Sequence, residues 1–83
     1  NDTPFSVAPN PTRGAITVTL PAAMRSNGRI TVFDALGQVV MVTTVRDGVE
    51  KLSLDLSGRT EGLYLVDAVA DGYHAVQRVV FAR

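Results

Sequence analysis

The sequence predicts an all-β domain: an antiparallel β-sandwich of about seven strands, immunoglobulin-like or fibronectin-like. Three observations predict it. Short runs of alternating apolar and polar residues recur at roughly 8–12-residue spacing. Turn residues, chiefly glycine, proline, asparagine and aspartate, separate those runs. No stretch carries a helical period of useful length.

The elements follow in order. Phe5-Ser6-Val7-Ala8 is a short apolar stretch, and Pro9-Asn10-Pro11 follows it. Each proline fixes its own φ and removes a backbone donor. Each also biases the residue before it, Ala8 or Asn10, toward extended backbone. We expect a stiff leading arm at a sandwich edge, unable to serve as a central strand, with Asn10 holding it straight. Gly14 to Leu20 then alternates, with Ile16, Val18 and Leu20 on one face and Thr17 and Thr19 on the other. Pro21 ends it.

Asn27-Gly28 is a turn dipeptide that opens the strand Arg29-Ile30-Thr31-Val32-Phe33. Asp34-Ala35-Leu36-Gly37 suits a type I turn closed by a bulge glycine. Gln38 to Arg46 is β-branched and apolar. Asp47-Gly48 reads as a hairpin turn of the I′ type. Val49 to Leu56 alternates again, Leu52, Leu54 and Leu56 facing inward, and Ser57-Gly58 stops it before three helical turns could form. Arg59-Thr60-Glu61-Gly62 is a loop. Leu63 to Ala70, the hairpin turn Asp71-Gly72 and the strand Tyr73 to Ala82 complete the chain.

At 83 residues this is one small domain. Such a domain hides about 60% of its unfolded surface, which implies a stability of roughly 4–12 kcal/mol. The apolar fraction of 46% supplies a real core and argues against disorder. There are no cysteines, so neither disulfides nor thiolate chemistry are available. Eight basic residues balance eight acidic ones, which argues against an electrostatic nucleic-acid binder. Every basic residue except Lys51 is arginine. Arginine favours bidentate contacts to carboxylates and phosphates, although biased codon usage accounts for the same count. No apolar run reaches the roughly 18–20 residues that span a bilayer, and no signal peptide is read. The chain begins with Asn1 rather than methionine, so we expect a longer precursor. Residues 1–4 would join upstream cargo to a single sandwich over residues 5–83.

Catalytic equipment is sparse. His74 is the single histidine and sits at an expected solvated strand end. No nucleophile elbow surrounds any serine. No histidine–cysteine cluster, calcium loop or phosphate-cradling glycine motif occurs. We therefore expect no enzyme activity, no metal and no cofactor. Asp67 interrupts an apolar strand and is expected to face outward, paired across the sheet with Arg78. Tyr64 is expected to be a buried aromatic whose hydroxyl caps a loop, as in the tyrosine corner of sandwich folds.

Several segments together carry a family resemblance. Phe5-Ser6-Val7-Ala8-Pro9-Asn10-Pro11-Thr12 precedes Gly14 and an alternating strand. Ile30 to Val40 follows, with Asp34-Ala35-Leu36-Gly37-Gln38 inside it. Leu54-Asp55-Leu56-Ser57 leads to Gly62-Leu63-Tyr64-Leu65-Val66, and Val79-Val80-Phe81-Ala82-Arg83 ends the chain. In this order and spacing, the chain closely resembles the C-terminal sorting domain of proteins exported by the type IX secretion system. The loop Arg59-Thr60-Glu61 departs from the usual Leu-Pro or Leu-Ala ahead of the glycine. Arg83 stands where lysine is frequent.

The resemblance implies a folded address label on secreted proteins of certain Gram-negative bacteria. Such precursors travel through the periplasm to the outer membrane and cell surface. The implied partners are an outer-membrane translocon and a surface sortase, which usually removes the domain and joins the cargo to anionic lipopolysaccharide. Asn1, Asp2 and Thr3 would lie at the processing junction. Recognition is expected to involve Pro9, Asn10, Pro11, Gly37, Gly62, Tyr64, Val79, Val80, Phe81 and Arg83. In particular, the final strand, expected to end free, and its Gly62-Leu63-Tyr64 neighbour would carry the recognition surface, because an exposed edge can pair with another strand. The alternative is that these are core strands whose loss unfolds the domain.

A reading from another class is an extracellular accessory module that binds glycan or lipopolysaccharide or spaces domains. The absence of tryptophan weakens it. A domain retained on the surface and a strand-swapped homodimer also stay open.

Overall fold

The computed structural model describes residues 5–24, 27–46 and 48–83. Among these, seven strands form two antiparallel sheets. They are β1 (Ser6–Ala8), β2 (Ala15–Thr19), β3 (Gly28–Asp34), β4 (Val39–Val45), β5 (Lys51–Asp55), β6 (Gly62–Ala70) and β7 (Tyr73–Phe81). One sheet has the order β1-β2-β5 and the other β4-β3-β6-β7. The expected sandwich of about seven strands is what forms. A single 3-10 turn, Ala22–Met24, was not expected from the sequence. Pro21 ends β2 and its carbonyl accepts the Met24 amide, which buries the Met24 side chain.

Alternation decides which side chains make the core. Ile16 and Val18 of β2 are buried and alternate with exposed Ala15 and Thr17. Ile30 and Val32 of β3, Tyr64, Val66, Ala68 and Ala70 of β6, and Tyr73, Val79 and Phe81 of β7 meet them from the other sheet. Leu54 and Leu56 are buried as expected, whereas Leu52 is half-buried. Each sheet thus turns one apolar face inward, the only way a two-layer domain of this size can exclude water.

Two turns behave differently from each other. Asp34–Gln38 makes the expected hairpin: the Gly37 amide donates to the Asp34 carbonyl at 3.0 Å, and Gly37 takes φ 84°. A positive φ there is the bulge conformation that glycine adopts without a Cβ penalty. The expected Asp47-Gly48 hairpin, by contrast, does not form. β4 pairs with β3 and β5 pairs with β2, so the chain changes sheets here. Asp47 itself lies outside the described residues. A local turn signal reverses the chain direction but cannot dictate which strands pair. Here Val45 is buried and Val49 packs on the core, so burial on either side of the turn outweighs its hairpin signal.

The leading arm also differs from expectation. β1 is an edge strand, as the prolines require. The chain does not stay straight beyond it: residues 9–11 bend, with cis peptides at Ala8–Pro9 and Asn10–Pro11, and reach the opposite sheet. There Thr12 bridges Phe81 in parallel.

Candidate functional site

The family-like segments are separated in sequence, but the fold gathers most of them at one end of the sandwich. The Asp34–Gln38 turn, the loop of residues 56–62 and the segment Phe81-Ala82-Arg83 meet there.

The turn holds itself rigid. Asp34 Oδ1 accepts the amides of Leu36 and Gln38, each at 2.9 Å, and the Asp34 amide donates to the Gln38 carbonyl. A short acid at the first position can satisfy several turn amides at once. Its tip presents Leu36, 86% exposed.

The loop is tied down on three sides. Asp55 Oδ1 accepts the Ser57 amide at 2.9 Å, and this contact together with the Ser57 hydroxyl holds the Asp55 carboxyl below its usual pKa. Tyr64 is buried and its hydroxyl donates to the Thr60 carbonyl at 2.5 Å, the tyrosine-corner arrangement. Arg83 clamps the far side. Its guanidinium donates to the carbonyls of Ser57 at 2.7 Å and Arg59 at 3.1 Å, and its amide donates to Glu61. The same guanidinium lies 5.0 Å from the Phe81 ring centroid, a cation–π distance. Arg59 then reaches from the loop to β4, donating to the Val40 carbonyl at 2.6 Å.

Turn and loop wall an open groove of about 620 Å³, lined by apolar Leu36, Val39, Leu63 and Tyr64 and by charged Arg59 and Glu61. Beside it, Leu63 and Val80 stand opposite each other on the outer face of β6 and β7. Both are exposed.

Of the residues expected to be recognised, Gly37, Gly62, Val80 and Arg83 are exposed at or beside this end. Val79 and Phe81 are buried at 0% and 1% exposure, as is Tyr64, so their side chains support the surface from beneath. Pro9, Asn10 and Pro11 run along the edge of β7. Asn10 does more than hold the arm: its Nδ2 donates to the Arg78 carbonyl at 2.9 Å and its Oδ1 accepts the Val80 amide at 3.0 Å. The Thr12 amide donates to the Val80 carbonyl and the Ala82 amide to the Thr12 carbonyl. The final strand therefore does not end free; the stretch from Arg78 to Ala82 is sealed. Asn1, Asp2 and Thr3, the expected junction, lie outside the described residues.

Elsewhere on the outer face, Asp67 faces outward but pairs with His74, at 2.7 Å, and not with Arg78. Asp67 stands opposite Val76, so the register makes His74 and Arg78 its two diagonal neighbours, and the carboxylate takes His74. Sequence reasoning left Leu36 and Arg59 out of the site. Leu36 carried a signal, an apolar residue at the tip of a polar turn. Arg59 carried none, because its partner is a backbone carbonyl on a strand 19 residues away.

The family model for the secretion system C-terminal sorting domain matches residues 6–82 of this chain. No curated protein and no solved structure matches it.

Proposed function

Since the chain belongs to the secretion system C-terminal sorting domain family, the sorting signal of type IX secretion, we propose that the export machinery reads it through the loop end of the sandwich. Family membership itself implies export toward the cell surface and outer membrane, and an interaction with the secretion machinery. The finer reading names the outer-membrane translocon and the surface sortase as the partners. It places the cut near Asn1-Asp2-Thr3, with transfer of the cargo to anionic lipopolysaccharide. The domain is then an address that other proteins recognise, and no reaction is assigned to it.

One observation carries the choice of surface. Family-pattern segments far apart in the chain, Asp34 to Val40 and Gly62-Leu63-Tyr64, converge on one groove, and Arg59 and Arg83, where the chain departs from the pattern, hold the loop between them. A reader of many cargoes needs a feature that stays the same whatever lies upstream. A rigid groove with an exposed leucine at its lip supplies one, since apolar anchors in preformed pockets carry most of an interface's affinity.

The test is a reporter fused ahead of this chain in a bacterium that has the secretion system. Deleting residues 80–83 would be uninformative, because it removes the buried Phe81. Leu36→Asp and Leu63→Asp change exposed side chains instead. Surface reporter should fall severalfold, while unfolding free energy stays within about 0.5 kcal/mol for Leu36→Asp and within about 1 kcal/mol for Leu63→Asp, which faces Val80 on a strand paired on both sides. Normal export from both variants would remove the loop end as the recognition surface.

A further inference from the structure

Sandwich edges differ in how well they are protected. β7 is sealed from Arg78 to Ala82 by Asn10 and Thr12. β1 is three residues long and runs into Pro9. β5 carries Lys51 and Asp55 at its two ends. β4 has none of these defences. Its seven residues, Val39-Val40-Met41-Val42-Thr43-Thr44-Val45, contain no charge, proline or glycine. Among the described residues only β3 pairs with it. The bulge opposite Val32 and Phe33, and the Arg59 bond to Val40, affect one end only. Met41 to Val45 is left as a regular, open edge.

We infer that β4 is the edge through which this domain accepts an extended peptide strand from a partner, a strand of about five uncharged, β-branched or apolar residues. The inference rests on the sorting reading and names the chemistry of the partner. Two features select that occupant. An edge strand presents alternating N–H and C=O groups, and another extended backbone matches that spacing. Charge sets the side chains. On the outer face an added strand would lie beside Val42 and Val39, 56% and 55% exposed. On the inner side it would lie beside Met41, which packs on the core. A charged side chain would lose water on either face without gaining a counter-charge from β4. The edge is also continuous with the groove, since Val39 and Val40 line it. A strand that pairs with β4 therefore ends beside the groove wall that Leu36, Val39 and Val40 form. Main-chain bonds would give the affinity and the groove the selectivity.

The experiment uses the 83-residue chain, with amide hydrogen exchange read by NMR. The probe is a synthetic peptide of alternating threonine and valine with a lysine at each end. At saturation, exchange should slow about tenfold or more in Met41–Val45, with shifts at Leu36 and Arg59. Val42→Lys should abolish the protection, because a charge blunts an edge. Val76→Lys, also exposed on the outer face but on β7, should leave it intact. No protection at β4, or equal protection at β5, would overturn the inference. So would protection in probe-free chain that grows with protein concentration, because a second copy would then be the occupant.

Export of the fused reporter is measured in parallel. Loss of export with Val42→Lys supports the inference, and normal export with it overturns a role for β4 in sorting. Normal export with Leu36→Asp, while the probe still binds at β4, overturns the loop-end reading alone.

Discussion

Asn10 and Val80 are 70 residues apart, yet the Val80 amide donates to Asn10 Oδ1 at 3.0 Å. The other half of the same side chain, Nδ2, donates to the Arg78 carbonyl. One side-chain amide thus does what a paired peptide group would do along the edge of β7. Only a primary amide offers donor and acceptor in this geometry.

Asn10→Ala should lower unfolding free energy by roughly 1 kcal/mol, read from urea denaturation. Asn10→Asp keeps the acceptor and loses the donor, and should fall at least as far because its charge faces the Arg78 carbonyl. Exchange of the Val80 amide should rise in the alanine variant before the rest of β7 is affected.

Tyr64→Phe removes the bond to the Thr60 carbonyl while keeping the buried ring. The expected loss is about 1–2 kcal/mol. Hydrogen exchange should quicken in residues 57–61 more than in β6, because the ring continues to hold the strand.

Gly28 is needed for a close approach. A Cβ placed there would lie 2.6 Å from the Met24 carbonyl oxygen and 3.2 Å from Val45 Cβ. Backbone must move to admit it, so Gly28→Ala should cost more than about 2 kcal/mol. Thermal unfolding measures this directly.

Asp55 supplies a pH dependence. Ser57 holds its folded-state pKa below the unfolded value. Its stabilisation is therefore fully present above the unfolded value and lost as pH falls through the folded one. The melting temperature should drop on acidification below about pH 4, and the drop should be shallower in Asp55→Asn. Identical acid profiles for the two proteins would show that the Ser57 contacts do not couple to folding.

Strand identity was legible because alternation is local. Ile16 and Val18, or Leu54 and Leu56, announce a buried face within a window of a few residues. The tyrosine corner was legible for the same reason, Thr60 lying four residues before Tyr64. Pairing between strands was not. The sheet change after Val45 and the bond from Asn10 to β7 depend on pairing between distant segments, and the partner of Asp67 on a choice between two diagonal neighbours. The groove was the least legible part. Arg59 and Arg83 act on backbone carbonyls, and backbone carbonyls have no sequence signature.

The seal on β7 also orders events in time. Its two halves lie near opposite ends of the described chain, 68–70 residues apart. A ribosome has therefore made nearly the whole domain before either half finds the other, and such distant contacts form slowly. Arg83 braces the loop only after β7 is in place. A truncated product that stops short of β7 has neither the seal nor the brace. The loop end is thus set last, once segments near the two ends of the described residues have met.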